Sequence, residues 1–99
     1  MRRAEAMAIL NAALPELRSR YAVRDIAVFG SVARDEAGPG SDVDVLVEFE
    51  VGQAGGYFKF FALQEDLERR MRQPVDLVTP DALKHQLRER ILAEAIHAA

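Results

Sequence analysis

Hydrophobic residues near the start of the chain recur at the spacing of an α-helix. They are Met7, Leu10, Leu14 and Leu17. Proline has no amide hydrogen to donate inside a helix, so Pro15 predicts an interruption of this pattern. We therefore expect one helix to end near Ala13 and a second to begin at Pro15.

Three short segments have the composition of buried β-strands. They are Asp25–Phe29, Asp42–Phe49 and Val75–Val78. The first segment is an apolar, β-branched run that stops at Gly30, as a buried strand does before a turn. Gly38-Pro39-Gly40 is a strong turn signal that returns the chain to the second strand.

Side chains of opposite character alternate along the second predicted strand. Val43, Val45, Val47 and Phe49 point to one face, whereas Asp42, Asp44, Leu46 and Glu48 point to the other. We expect the first face to pack on the core and the second to carry carboxylates.

Helical patterns occupy most of the remaining chain. A short helix is expected over Ser31–Ala37, and a longer one follows the glycine-rich loop Gly52–Gly56. That longer helix is indicated by Phe60, Leu63, Leu67 and Met71. Thr79 and Pro80 are a typical helix start, and the stripe of Leu83, Leu87, Ile91 and Ala95 predicts a helix that runs to the end of the chain.

The composition is that of one compact domain covering residues 1–99. Of these residues 49% are apolar and 29% charged, which is globular usage. With 13 basic against 16 acidic residues, we expect no bulk binding of nucleic acid. The absence of cysteine excludes disulfides and thiolate metal sites. No apolar run approaches the ~20 residues that span a bilayer, so we expect a soluble cytoplasmic protein.

The main chemical signal is Gly30-Ser31, then ten residues, then Asp42-Val43-Asp44. Strand alternation places Asp42 and Asp44 on one face with Cα atoms ~6.7 Å apart. Two such carboxylates suit a pair of Mg²⁺ ions, which can hold a triphosphate and neutralise the leaving pyrophosphate. We therefore interpret Asp42 and Asp44 as metal ligands.

Further residues complete this candidate site. Gly30 allows the backbone to approach phosphates, and Ser31 begins a helix whose amide hydrogens favour an anion. Arg34 lies one helical turn beyond Ser31 and can contact the phosphate chain. Asp76 is an isolated acid in an apolar strand, so we propose it as the third metal ligand and as an aid to the nucleophile.

Structural interpretations of the same residues remain open at this point. Gly, Ser and Asp all favour turns, and Asp42 can simply cap the Gly-Pro-Gly turn. Arg34 beside Asp35 and Glu36 is also compatible with an ordinary solvated face. Asp44, which lies inside the strand, has no comparable structural explanation.

Three sequence blocks resemble the DNA polymerase β-like nucleotidyltransferases, above all the minimal nucleotidyltransferases that are antitoxins of HEPN-domain toxins. The blocks are FGSVAR at Phe29–Arg34, SDVDVLVEF at Ser41–Phe49 and PVDLVTPDAL at Pro74–Leu83. Two departures stand out, because the family often has glycine where this chain has Asp35 and a Leu-Gly pair where it has Arg72-Gln73.

The resemblance implies an α/β (α+β) fold with a small mixed sheet flanked by helices. It also implies an Asp42, Asp44 and Asp76 triad, triphosphate contact at Gly30 and Ser31, and Mg²⁺ with ATP as substrate. Family members are similar in transferring AMP to a tyrosine of a HEPN-domain toxin encoded by a neighbouring gene.

Three functions are therefore considered. The first is a Mg²⁺-dependent protein adenylyltransferase that acts as an antitoxin. The second is a binding module that neutralises the toxin by complex formation, with weak or absent transfer. The third, an aminoglycoside-type enzyme acting on a small molecule, ranks last because 99 residues leave little room for a separate substrate-binding domain.

Overall fold

The computed structural model describes residues 1–52 and 56–99, with the side chains of residues 1–52 and 58–99. Most of the predicted loop at Gly52–Gly56 lies outside the described residues. The helices are α1 (Arg3–Tyr21), α2 (Gly30–Ala33), α3 (Gly56–Met71) and α4 (His85–Glu94). The strands are β1 (Val23–Phe29), β2 (Val43–Phe49), β3 (Val75–Val78) and β4 (Ile96–His97), and a 3₁₀ turn covers Pro80–Ala82.

The strands form a mixed sheet, as the resemblance implies. Within the described ranges the sheet order is β3-β2-β1-β4. β1 is antiparallel to both β2 and β4, whereas β2 and β3 are parallel. A parallel pair needs a crossover connection, and α3 supplies it between β2 and β3.

One face of the sheet packs on α1 and α3 and forms the larger core. Ile26 and Val28 of β1, together with Val43, Val45 and Val47 of β2, are completely buried there. The helices contribute Leu10 and Leu17 from α1 and Leu63 and Leu67 from α3. This arrangement confirms the core face predicted from the alternation in β2.

The opposite face of the sheet has a small apolar cluster of its own. Ala27, Phe29 and Leu46 are buried there beneath Ile91 of α4. Asp44 and Asp76 point to this same face, because they alternate with the core residues of β2 and β3. The sheet face that carries Asp44 and Asp76 is therefore partly covered by α4 rather than fully solvated.

The predicted interruption at Pro15 is wrong, because α1 is continuous through this residue. Pro15 and Asn11, the residue whose carbonyl loses its amide partner, are both exposed. Water can therefore satisfy that carbonyl, while Leu14 and Leu17 remain buried on the opposite side. Across the parts of the chain that the structure describes, no helix is both long and apolar enough to cross a membrane.

The final helix is shorter than predicted at both ends. It begins at His85 rather than near Thr79, because Leu83 has an extended backbone after the 3₁₀ turn. It ends at Glu94, since Ala95 is also extended with φ −64° and ψ 138°. Ile96 and His97 then pair with β1 as an edge strand, so the prediction of a terminal helix is wrong.

A buried acid connects α1 to α3. Asp66 is only 1% exposed, and its carboxylate accepts hydrogen bonds from the Tyr21 hydroxyl at 2.6 Å and Arg70 Nε at 2.7 Å. Burial acts to raise the pKa of Asp66, but the bonds from Arg70 and Tyr21 and the charges of Arg70 and Arg69 outweigh it and hold the pKa below its ordinary value. The ionised carboxylate therefore stabilises the fold.

Replacing this acid by its neutral amide tests that conclusion. Asp66→Asn should lower the free energy of unfolding by about 2 kcal/mol at pH 7, because the neutral amide loses the ion pairs with Arg69 and Arg70. A depressed folded-state pKa gives stability that is present above the unfolded value and lost as pH falls through the folded value. The difference from wild type in urea unfolding should therefore shrink below pH 3.8, the ordinary value.

Glu65→Gln is the matched control for this substitution, because Glu65 is an exposed acid on the same helix. It should change the free energy of unfolding by less than about 0.5 kcal/mol. Equal effects of the two substitutions at pH 7 would contradict a stabilising role of the Asp66 carboxylate.

Candidate active site

The register of three neighbouring strands brings the predicted acids to one edge of the sheet. Asp44 of β2 lies opposite Phe29, the last residue of β1, and opposite Asp76 of β3. Gly30 follows Phe29 directly and begins α2. Gly30, Asp44 and Asp76 thus occupy adjacent positions across the sheet, although 46 positions separate the first from the last along the chain.

Gly30 lies in direct contact with the Asp44 side chain. A Cβ atom built on Gly30 would be only 2.1 Å from Asp44 Oδ2, which is less than any van der Waals contact. The φ angle of Gly30 is 71°, in the left-handed region that side chains disfavour. Both the space and the backbone conformation at this position therefore require glycine.

Negative charge accumulates around Asp44. Partial burial raises the pKa of its carboxyl group, and the charges of Asp76 and Asp42 raise it further, while Arg34 acts in the opposite direction. Asp42 is exposed and immediately precedes β2, and Asp76 is exposed within β3. Asp44 is therefore repelled by both neighbouring acids, and a nearby cation would relieve that repulsion.

The donor chemistry of these acids fits Mg²⁺, which prefers carboxylate oxygen. Their side chains do not converge in the arrangement seen here. Among the described residues, no group of three acidic or histidine side chains is close enough to hold a metal ion. The assignment of Asp42, Asp44 and Asp76 as metal ligands therefore stays a prediction.

The predicted phosphate-binding residues lie in and just after α2. This helix covers only Gly30–Ala33, so it is shorter than the predicted Ser31–Ala37. Ser31 is half-buried within it, and Arg34 follows as its C-cap. Arg34 donates Nε to Glu36 at 2.7 Å and Nη1 to Glu94 at 3.0 Å, and these two bonds raise its pKa above the ordinary value.

Asp35, the first departure from the resembled family's pattern, lies in a left-handed backbone conformation. Its φ angle is 59°, a left-handed conformation that Asp adopts more readily than most residues. Its carboxylate accepts a hydrogen bond from the Arg3 amide at 2.9 Å, at the beginning of α1. Negative charge at a helix N-terminus is favourable, so this departure from the family pattern serves the fold.

Glu94, at the end of α4, is a site residue that the sequence interpretation missed. Its Oε1 accepts a hydrogen bond from the Gly30 amide at 2.9 Å, and its Oε2 accepts one from Arg34. A negative charge in the last turn of a helix opposes the helix dipole, which indicates a partner elsewhere. The sequence carried no such signal, because the last helix was predicted to continue beyond Glu94, and the partners lie 60 and 64 positions away.

The contact between Gly30 and Asp44 predicts that alanine at position 30 is more destabilising than alanine at another glycine with positive φ. Gly30→Ala should lower the free energy of unfolding more than Gly40→Ala, by about 1–3 kcal/mol, because only the first forces atoms together. Gly40 is a matched control, since its φ of 83° imposes similar strain but nothing lies within 4 Å of a Cβ there. Thermal and urea unfolding measure both variants, and equal losses would contradict the contact.

Comparisons with known proteins identify the family of this chain. The family profile described as the nucleotidyltransferase domain matches residues 10–97. The protein adenylyltransferase MntA of Thermococcus cleftensis is 43% identical over 93 residues, which cover 94% of this chain and 92% of that protein.

Solved structures share the fold. The structure of a protein assigned as a minimal nucleotidyltransferase superposes on this chain with a TM-score of 0.80. The two sequences are 38% identical, and the match covers 97% of this chain and 95% of the other. A toxin–antitoxin crystallised with AMP-PNP has a TM-score of 0.69 at 18% identity, covering 88% of this chain and 70% of the other. The family match, the relative and the strand register agree, so this chain belongs to the nucleotidyltransferase domain family.

Proposed function

We propose that this chain is an adenylyltransferase that moves AMP from ATP to a hydroxyl group of a partner protein. The observation that carries the proposal is the strand register, which gives Gly30, Asp44 and Asp76 adjacent backbone positions in a nucleotidyltransferase fold. The adenylyltransferase name of the Thermococcus relative supports the choice of AMP, because the two chains align over nearly their whole lengths.

The proposed partner is a HEPN-domain toxin encoded by a neighbouring gene, and the proposed acceptor is one of its tyrosines. This part rests on the resemblance to minimal nucleotidyltransferases that are antitoxins, and the fold is shared with a toxin–antitoxin. Large apolar side chains near one end of the sheet support contact with a protein. Val51 is 87% exposed, Phe58 90% and Phe61 53%.

The proposed reaction is a single displacement at phosphorus. The acceptor oxygen forms a bond to the α-phosphorus of ATP, the bond from that phosphorus to the bridging oxygen breaks, and pyrophosphate leaves. Gly30 offers its amide to a phosphate oxygen, and Ser31 and Arg34 lie beside it to orient and neutralise the chain of phosphates. In this proposal Asp76 helps to orient the acceptor hydroxyl or accepts its proton.

Asp42, Asp44 and Asp76 are the residues that would hold Mg²⁺. When bound, two such ions neutralise charge on the triphosphate and on the departing pyrophosphate. Burial raises the pKa of Asp44 and the charges of Asp76 and Asp42 raise it further, and a cation among these acids would relieve the second contribution. Ionised Asp44 is therefore favoured in the loaded enzyme.

The proposal predicts that neutral amides at the acids stop transfer. Asp42→Asn and Asp44→Asn should each reduce AMP transfer at least about a hundredfold, because each removes a charged oxygen ligand. The fold should persist, since the substitution removes repulsion at Asp44 and changes an exposed residue at Asp42. The measurement uses α-labelled ATP, Mg²⁺ and the neighbouring HEPN-domain protein, with gel detection and intact mass.

Asp81→Asn is the matched control, because Asp81 is an exposed acid in the 3₁₀ turn after β3. It should transfer AMP at the wild-type rate. Full activity of Asp44→Asn would contradict the assigned chemistry. Label on a nucleic acid or small molecule, with none on the protein, would reject the proposed acceptor.

A second candidate function is a binding module that blocks the toxin without modifying it. Two observations favour it. Among the described residues, the side chains of the proposed metal ligands do not form a metal site. Glu94 already binds the Gly30 amide and the Arg34 guanidinium, which are the groups proposed to bind phosphate. Toxin inhibition that survives both Asp42→Asn and Asp44→Asn would select this function over transfer.

A further inference from the structure

The carboxylate of Glu94 binds two groups that the proposed reaction needs for ATP. Oε1 accepts from the Gly30 amide at 2.9 Å, and Oε2 accepts from Arg34 Nη1 at 3.0 Å. A single carboxylate therefore spans a backbone donor and a cation in the manner of a phosphate group. Both kinds of anion are recognised by the same donors through charge-assisted hydrogen bonds.

The same contact adds negative charge to the site. Burial and the charges of Asp76 and Asp42 raise the pKa of Asp44, and the charge of Glu94 adds a smaller contribution in the same direction, so Glu94 lies within electrostatic reach of Asp44. Its side chain is 32% exposed and that of Arg34 is 49% exposed, so both can exchange partners with a ligand from solvent. When a triphosphate binds, the Gly30 amide and the Arg34 guanidinium are already bonded to Glu94, and the charge of Glu94 repels the triphosphate.

The position of Glu94 in α4 makes its contacts with Gly30 and Arg34 informative. A carboxylate in the last turn of a helix is unfavourable with respect to the helix dipole, and no basic residue lies in the last turn of α4. The hydrogen bonds to Gly30 and Arg34 offset that cost. Without those partners, a negative side chain would be poorly placed here.

We propose that Glu94 is an internal competitor of the nucleotide, an autoinhibitory carboxylate that the triphosphate of ATP displaces from Gly30 and Arg34. The proposal rests on the proposed function, since it assumes that these two residues bind the triphosphate. It assigns to α4 a role in setting ATP affinity, in addition to its packing on Ala27, Phe29 and Leu46.

The test compares the intact chain with Glu94→Ala and Glu94→Gln by calorimetric titration of MgATP and of magnesium tripolyphosphate. Glu94→Ala should bind both ligands about tenfold more tightly, because it removes the competing acceptor and its charge. Glu94→Gln should lie between Glu94→Ala and wild type, since its amide oxygen still accepts from Gly30. Similar gains for both ligands would locate the competition at the phosphates.

Glu89→Ala is the matched control. Glu89 is an exposed acid on the same helix, paired with His85 at 3.2 Å, so this variant removes one negative charge away from the site. Its affinity for both ligands should equal that of wild type. A gain as large as that of Glu94→Ala would show that net charge alone is responsible, and would overturn the proposal.

A second readout needs no nucleotide. The Gly30 amide resonance of the ¹⁵N-labelled chain should move on Glu94→Ala and stay in place on Glu89→Ala, because only the first loses the hydrogen bond. If the Gly30 resonance does not move in Glu94→Ala, the hydrogen bond between Gly30 and Glu94 is absent in solution and the proposal is overturned.

The titrations also separate this proposal from the function on which it rests. Equal or weaker binding by Glu94→Ala, with wild type binding normally, would overturn the proposal. Weaker binding would in addition make Glu94 a residue that positions Gly30 for ATP. The adenylyltransferase function would then stand. No binding of MgATP by any variant would instead reject that function, and the proposal with it.

Discussion

The pairing of β1 with β2 determines which side chains meet at the functional edge of this protein. Because Phe29 lies opposite Asp44, the chain must turn at Gly30 directly against the Asp44 carboxylate. Parallel addition of β3 then places Asp76 beside Asp44. A shift of one residue in either pairing would reverse the faces and send Asp44 into the core beneath α1 and α3. Burial of the valines in β2 therefore also fixes the position of the acid.

Two acids of this chain show how the surroundings decide the state of the same functional group. Asp66 is almost fully buried, yet hydrogen bonds from Arg70 and Tyr21 keep its pKa low, and it serves the fold. Asp44 is more exposed, but burial and acidic neighbours raise its pKa. An acid whose ionised form is disfavoured by its surroundings is typical of a ligand-binding site. An acid whose ionised form is stabilised by hydrogen bonds and ion pairs is typical of a structural role.

Local sequence patterns were sufficient for β1, β2 and β3 and for Asp44 and Asp76 on them. Alternation in β2 identified both its core face and its carboxylate face, and the apolar run at Val75–Val78 gave β3 with the bounds observed. These features depend on residues close together in the sequence. They could be predicted because the burial of one face imposes a period of two on the chain.

Features that depend on distant partners could not be predicted in this way. The two residues of β4 have no strand pattern of their own and are defined by pairing with Ala27 and Val28. The continuity of α1 through Pro15 depends on which side of the helix meets solvent. The contact of Glu94 with Gly30 depends on the path of α4 across the sheet, which no local spacing reveals.

The short connection between α4 and β4 limits how the end of the chain can move. Only Ala95 separates Glu94 from the strand that pairs with β1, so the backbone at the end of α4 is anchored to the sheet. Glu94 can leave Gly30 by rotating its side chain, a motion on the picosecond to nanosecond timescale, without displacement of the helix. The exchange is then a rapid equilibrium, and the apparent affinity for ATP is reduced in proportion to the fraction of time that Gly30 and Arg34 are free of Glu94. It adds no slow step to the binding of ATP.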